Sequence, residues 1–99
     1  MKATIYVLTD PESGAIRYVG STMKPLDERL KSHMRQYNCD GNAAKRRWMN
    51  RLRRAWLRPG IVAVDTCDEW LRYQREADWI GHCIEEGCGL VNGDPLTQR

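Results

Sequence analysis

The stretch Ala3-Thr4-Ile5-Tyr6-Val7-Leu8-Thr9-Asp10-Pro11-Glu12-Ser13-Gly14-Ala15-Ile16-Arg17-Tyr18-Val19-Gly20 decides the fold. Residues 3 to 9 are rich in β-branched and aromatic types and read as a strand. Asp10 to Gly14 reads as a turn. Pro fixes φ, the Asp carboxylate can accept from the backbone ahead of it, and Gly accepts positive φ. Residues 15 to 20 read as the returning strand. A turn symmetric about Glu12 sets Tyr6 opposite Tyr18, with both rings on one sheet face.

Beyond this hairpin, Pro25 suits the first turn of a helix, where its missing N–H costs little. Leu26, Leu30, Met34 and Tyr37 form an apolar stripe at helical spacing, with Arg29 and His33 one turn apart on its edge. Asn38 to Asn42, with Gly41, breaks that helix. A second helix is predicted over about 43 to 57, with Trp48, Met49, Leu52, Ala55 and Trp56 as its apolar face, closed by Arg58-Pro59-Gly60. Residues 61 to 66 read as a short apolar strand. Asp68 then caps a third helix to about Glu86, burying Leu71, Tyr73, Ala77, Ile80, Cys83 and Ile84, and Gly87 and Gly89 stop it. The order β-β-α-α-β-α predicts an α/β (α+β) fold. It consists of a small three-stranded mixed or antiparallel sheet flanked by three helices. One domain over residues 1–92 and a short polar tail over 93–99 are expected.

Composition narrows the functional classes. The formal net charge is +3, but Lys45, Arg46, Arg47, Arg51, Arg53, Arg54 and Arg58 crowd one stretch with no acid among them, while residues 65 to 86 lean acidic. A basic stretch of this kind suits contact with a polyanion, or it is a solvated helix face. No apolar run reaches the ~20 residues that span a bilayer, and the apolar stretch 3 to 8 is too short and β-branched for a signal peptide. An intracellular, reducing (cytoplasmic) location is therefore expected, with Cys39, Cys67, Cys83 and Cys88 as free thiols. Their spacing lacks the paired ligands of a structural zinc site.

Several residues carry candidate chemistry. Glu76 lies three after Tyr73 and four before Ile80, so it borders the buried stripe of the third helix. A carboxylate there needs an arginine partner or a cation. Arg29 beside its own stripe can clamp a phosphate, or it is a surface arginine. His33 suits proton transfer or a structural role, and Tyr6 and Tyr18 suit packing with reachable hydroxyls. Taken together these groups meet the needs of phosphodiester hydrolysis: a cation on the phosphate, a cationic donor for the transition state, and a group that activates water. A single carboxylate suits Mg²⁺, which keeps most of its waters.

These residues resemble the GIY-YIG nuclease family. Thr4-Ile5-Tyr6 and Tyr18-Val19-Gly20 resemble its two tyrosine motifs, and Arg29-x-x-x-His33 its arginine helix. Glu76-Ala77-Asp78-Trp79-Ile80 resembles the helix with the metal-binding glutamate, and Leu90-Val91-Asn92 the terminal segment with its asparagine. The resemblance implies an endonuclease that hydrolyses DNA with one Mg²⁺ or Mn²⁺ ion held by Glu76. By the same resemblance Tyr6 is the general base, Tyr18 orients water or phosphate, and Arg29 stabilises the transition state. His33 assists phosphate binding or proton relay, and Asn92 and Gly20 support the site. Two departures stand out. Thr4 replaces the first Gly, and the second His that some relatives carry after the arginine helix is missing from 38 to 42. His82 does not fill that place.

The partner implied is double-stranded or branched DNA, gripped by Lys45, Arg46, Arg47, Arg51 and Arg54 of the basic helix. With only a short stretch after Asn92, no appended recognition domain is expected. The expected alternatives are a stand-alone nuclease, a separate DNA-recognition partner, or self-association. A rival reading keeps the fold as a non-catalytic nucleic-acid-binding module using residues 43–58. A third makes it a protein-interaction domain for an acidic partner.

Overall fold

The computed structural model describes residues 1–35 and 42–92. Its elements are β1 (Lys2–Thr9), β2 (Ile16–Thr22), α1 (Leu26–Arg35), α2 (Ala43–Arg54), β3 (Gly60–Asp68) and, after a 3-10 turn at Glu69–Leu71, α3 (Arg72–Glu85). The sheet order is β2-β1-β3, with β1 antiparallel to both neighbours. This is the expected α+β fold in the expected order, with antiparallel pairing throughout. Tyr37, Cys39 and the 93–99 tail lie outside the described residues.

Alternation along the central strand builds a core on each side of the sheet. Ala3, Ile5 and Val7 face α3 and pack with Val19, Cys67, Ile80 and Cys83. Tyr6 and Leu8 face the other way and pack with Trp48, Met49 and Leu52 of α2, while α1 adds Leu26, Leu30 and Met34. Burial on both faces is why residues 5 to 8 are apolar or aromatic without a break.

The hairpin register corrects the expectation that Tyr6 lies opposite Tyr18. Tyr6 pairs with Gly20 and Tyr18 with Leu8, and the ladder has an irregularity between Leu8 and Thr9. The turn centres one residue later than expected. Asp10 donates its amide to the Ala15 carbonyl, and its carboxylate accepts from the Glu12 and Ser13 amides. Gly14, at φ 75°, lets the chain return. The resulting shift is two residues, so both tyrosines stay on one face as diagonal neighbours. Asp10 also accepts from Trp48 Nε1 at 3.1 Å and Arg51 Nη2 at 3.0 Å, tying the turn to α2. Burial pushes the Asp10 carboxyl up, but these hydrogen bonds and the Arg51 charge outweigh it and hold the group below its usual range.

Two helices differ from their sequence reading. α2 stops at Arg54, not near 57, because Leu57 N–H bonds to Leu52 C=O and Trp56 N–H to Arg53 C=O. That pattern is a Schellman closure, which requires a left-handed residue just past the cap. Trp56 takes that place at φ 59°, and the turn throws its side chain outward, 96% exposed. Ala55 is exposed with it, so only Trp48, Met49 and Leu52 of the expected apolar face are buried.

In α3 the expected stripe is rotated. Ile80 and Cys83 are buried, but Tyr73 is 70% exposed, and Ala77 and Ile84 also face out. The packed face instead runs through Arg72, Arg75, Glu76 and Trp79, whose polar atoms find partners on the sheet. Arg75 and Trp79 both donate to Asp65, and Arg72 donates to the Ser21 hydroxyl and carbonyl. Asp68 makes no side-chain cap; its carboxylate pairs with Lys2 at 2.9 Å.

A left-handed tryptophan is strained where glycine is not. Trp56→Gly is therefore expected to stabilise the fold by about 1 kcal/mol. A raised midpoint in urea unfolding would show it, and an unchanged midpoint would mean the indole compensates for the strain.

Candidate active site

The site is built around the Tyr6 hydroxyl, which β1 delivers beneath α1 and α2. His33 and Arg29, one helical turn apart on α1, both reach it. The hydroxyl lies 2.5 Å from His33 Nε2 and accepts from Arg29 Nε at 3.0 Å. His33 is fully buried between the two tyrosines, in edge-to-face contact with each at centroid distances of 5.7 and 5.2 Å.

Gly20 makes this crowding possible. A Cβ there would meet the Tyr6 hydroxyl oxygen at 2.5 Å and the Tyr18 ring at 3.1 Å. The residue opposite Tyr6 on the neighbouring strand must lack a side chain for the ring to lie down.

Glu76 comes from the opposite side of the sheet. It lies on α3 and is half-buried, next to the Ser21 backbone amide at the end of β2. Burial pushes its carboxyl up, and Arg72, Arg29 and the Ser21 amide pull the other way without cancelling that rise. Burial likewise raises the Tyr6 phenol. The Arg29 hydrogen bond and charge oppose this, and the Glu76 charge adds to it. Tyr6 and Glu76 thus feel each other although they stand on different elements.

Asn92 has a different task. Its carboxamide accepts from the Val19 amide at 2.9 Å and donates to the Val19 carbonyl at 2.8 Å. That pairing clamps the strand carrying Tyr18 and Gly20. Asn42 extends the clamp: its side chain caps α2 by accepting from the Lys45 amide and donates to the Val91 carbonyl.

Of the expected DNA-binding residues, Arg46, Arg47 and Arg54 project outward, and Arg51 is exposed while paired with Asp10. Lys45 is corrected. It is only 4% exposed, with Nζ 2.8 Å from His33 Nδ1 and 4.6 Å from the centre of the Tyr18 ring. The signal lay in its spacing, three before Trp48, four before Met49 and seven before Leu52, on the buried face of α2. Arg72 was also missed. Four residues before Glu76, it shares that carboxylate's face of α3 and lies near enough to lower its pKa.

The geometry of Gly20 gives a direct test. Gly20→Ala is expected to cost about 1–3 kcal/mol through overpacking against a ring that Arg29 and His33 hold in place. Urea unfolding reads the loss, and a neutral result would mean the Tyr6 ring is free to shift.

Comparison with curated proteins and with solved structures gave no match. A family model, that of the GIY-YIG catalytic domain, matches residues 2–83, which include both tyrosine motifs, the arginine helix and Glu76. With that match over most of its length, the chain belongs to the GIY-YIG family, whose nucleases act on DNA.

Proposed function

We propose that this domain is a divalent-metal-dependent endonuclease that hydrolyses DNA phosphodiester bonds. The observation that carries this reading is the convergence of Tyr6, Arg29 and His33 through direct hydrogen bonds, with the Glu76 charge near enough to act on Tyr6. Tyr6 is the acceptor for the proton of the attacking water. Tyr18 stands on the same face and helps orient the phosphate or the water. Arg29 uses Nε on Tyr6, and its Nη end can meet charge that develops on the phosphate.

The residues fit one divalent ion. Among the described residues no cluster of three or more His, Cys, Asp or Glu exists, so an all-protein cage is not on offer. Glu76 alone would hold Mg²⁺ or Mn²⁺, which suits an ion that keeps most of its waters. When bound, the ion supplies positive charge at the scissile phosphate and a more acidic water. Glu76 is kept half-buried with its carboxyl raised, a group that gains from a cation.

The outward arginines of α2, Arg46, Arg47, Arg51 and Arg54, would hold the duplex by its phosphates. The same exposed face supports the second reading, a binding module without cleavage.

Two assays separate the readings. Purified protein with supercoiled plasmid and Mg²⁺ or Mn²⁺ is expected to nick it, and Glu76→Ala and Tyr6→Phe are each expected to lose at least a hundredfold in rate. Binding with no cutting by wild type leaves the binding module standing, and equal cutting by Glu76→Ala overturns the role given to Glu76. In the second assay, Arg46, Arg47 and Arg54 replaced together by Ala should weaken affinity about equally for unrelated sequences and flatten its salt dependence. Losses confined to one sequence would contradict phosphate contact.

A further inference from the structure

We propose that Lys45 is a positioning residue that fixes His33 as its Nε2–H tautomer, so that the imidazole donates a hydrogen bond to Tyr6 instead of taking its proton. Among the described residues the two ring nitrogens have one partner each. Nδ1 faces Lys45 Nζ at 2.8 Å and Nε2 faces the Tyr6 hydroxyl at 2.5 Å. An ammonium group has three N–H donors and no acceptor. Nδ1 must therefore be the acceptor, and a neutral imidazole then carries its proton on Nε2. The Lys45 ammonium also stands over the Tyr18 ring, with Nζ 4.6 Å from its centre, in a cation–π contact.

The groups facing His33 from every packed element agree with this state. Tyr6 approaches from β1, Tyr18 from β2, Arg29 from α1 and Lys45 from α2. Burial, then the Lys45 charge, then the Arg29 charge push the His33 pKa down to about 3, so the ring is neutral at pH 7.

The consequence falls on Tyr6. Its oxygen takes two donors, Nε2–H of His33 and Nε–H of Arg29, which work against the rise that burial imposes on the phenol. In hydrolysis, the oxygen of water bonds to phosphorus as the bond to the leaving oxygen breaks. Tyr6 acts there as the phenolate: its own proton passes to solvent first, since the imidazole already carries one on the nitrogen that faces it. The phenolate then takes the proton of that water, and the leaving oxygen is protonated by solvent. This catalytic consequence rests on the nuclease reading. The tautomer itself does not.

The test is a two-bond ¹H–¹⁵N correlation spectrum of the full metal-free chain, labelled at histidine, at pH 7. The chain has two histidines, and His82→Gln assigns the signals. For wild type a pyridine-type Nδ1 and a pyrrole-type Nε2 are expected at His33. A pyrrole-type Nδ1 overturns the proposal without any variant. Lys45→Met should move proton occupancy toward Nδ1 and lower kcat about tenfold to a hundredfold, with KM for DNA little changed. Lys45→Arg, which still donates, should restore the Nε2–H pattern and part of the rate. An unchanged tautomer in Lys45→Met also overturns it. If the spectra behave as expected but wild type cleaves no DNA, the nuclease reading fails and the tautomer assignment stands.

Discussion

Tyr6 stands on a strand that is buried on both faces, so its hydroxyl goes underground with it. An oxygen buried without partners costs about 1–3 kcal/mol. The fold answers with two donors from one face of α1, and this requirement fixes much else. Arg29 and His33 must be one turn apart, α1 must bring both within reach of Tyr6, and Gly20 must leave room on β2. Once His33 is drawn in, its second nitrogen needs a partner as well, and α2 supplies Lys45. The chemistry and the packing of this half of the molecule are therefore the same network, and changes to either will be felt in both.

The other half of the site comes from the opposite face of the sheet. α3 packs on the opposite face, yet Glu76 is held close enough to Tyr6 to influence its proton. Around this one carboxylate stand Arg29 and Arg72, and on the far side of His33 stands Lys45. Such a pocket carries excess positive charge in the absence of a ligand. That charge disfavours a protonated His33 and draws in a polyanion.

Much of this was legible in the sequence. The hairpin, the helix order and the place of Arg29 and His33 beside an apolar stripe follow from local periodicity, while the grouping of Tyr6, Tyr18, Arg29, His33 and Glu76 into one site came from the family resemblance. What escaped has a common cause. Periodicity finds a buried face only when that face is apolar, and here two buried faces carry charge. Lys45 reads as one more basic residue of α2 until its partner His33 is seen. The sheet face of α3 is half arginine and glutamate because Asp65 and Ser21 wait for it. The register slipped by two because one carboxylate, Asp10, organises the turn through backbone amides that no residue pattern displays. Trp56 marks the same limit: its place past a helix end is one where glycine is usual, and sequence alone offered no reason to end α2 there.

The clamp that Asn92 places on Val19 has a further consequence, for association between chains. A three-stranded sheet has two free edges, each a template for another strand. On β2, the Val91 amide bonds to Arg17 and the Asn92 carboxamide takes both backbone groups of Val19, so that edge is occupied. On β3, no strand among the described residues pairs with the outer side, and Ile61, Val62 and Val64 would otherwise make it adhesive. There the pairing with β1 jumps from Asp65 to Ala63, a bulge at Val64 that bends the strand and interrupts its row of hydrogen-bonding groups. One edge is blocked by a side chain and the other is spoiled by a kink, so the domain is guarded against zippering onto its own copies.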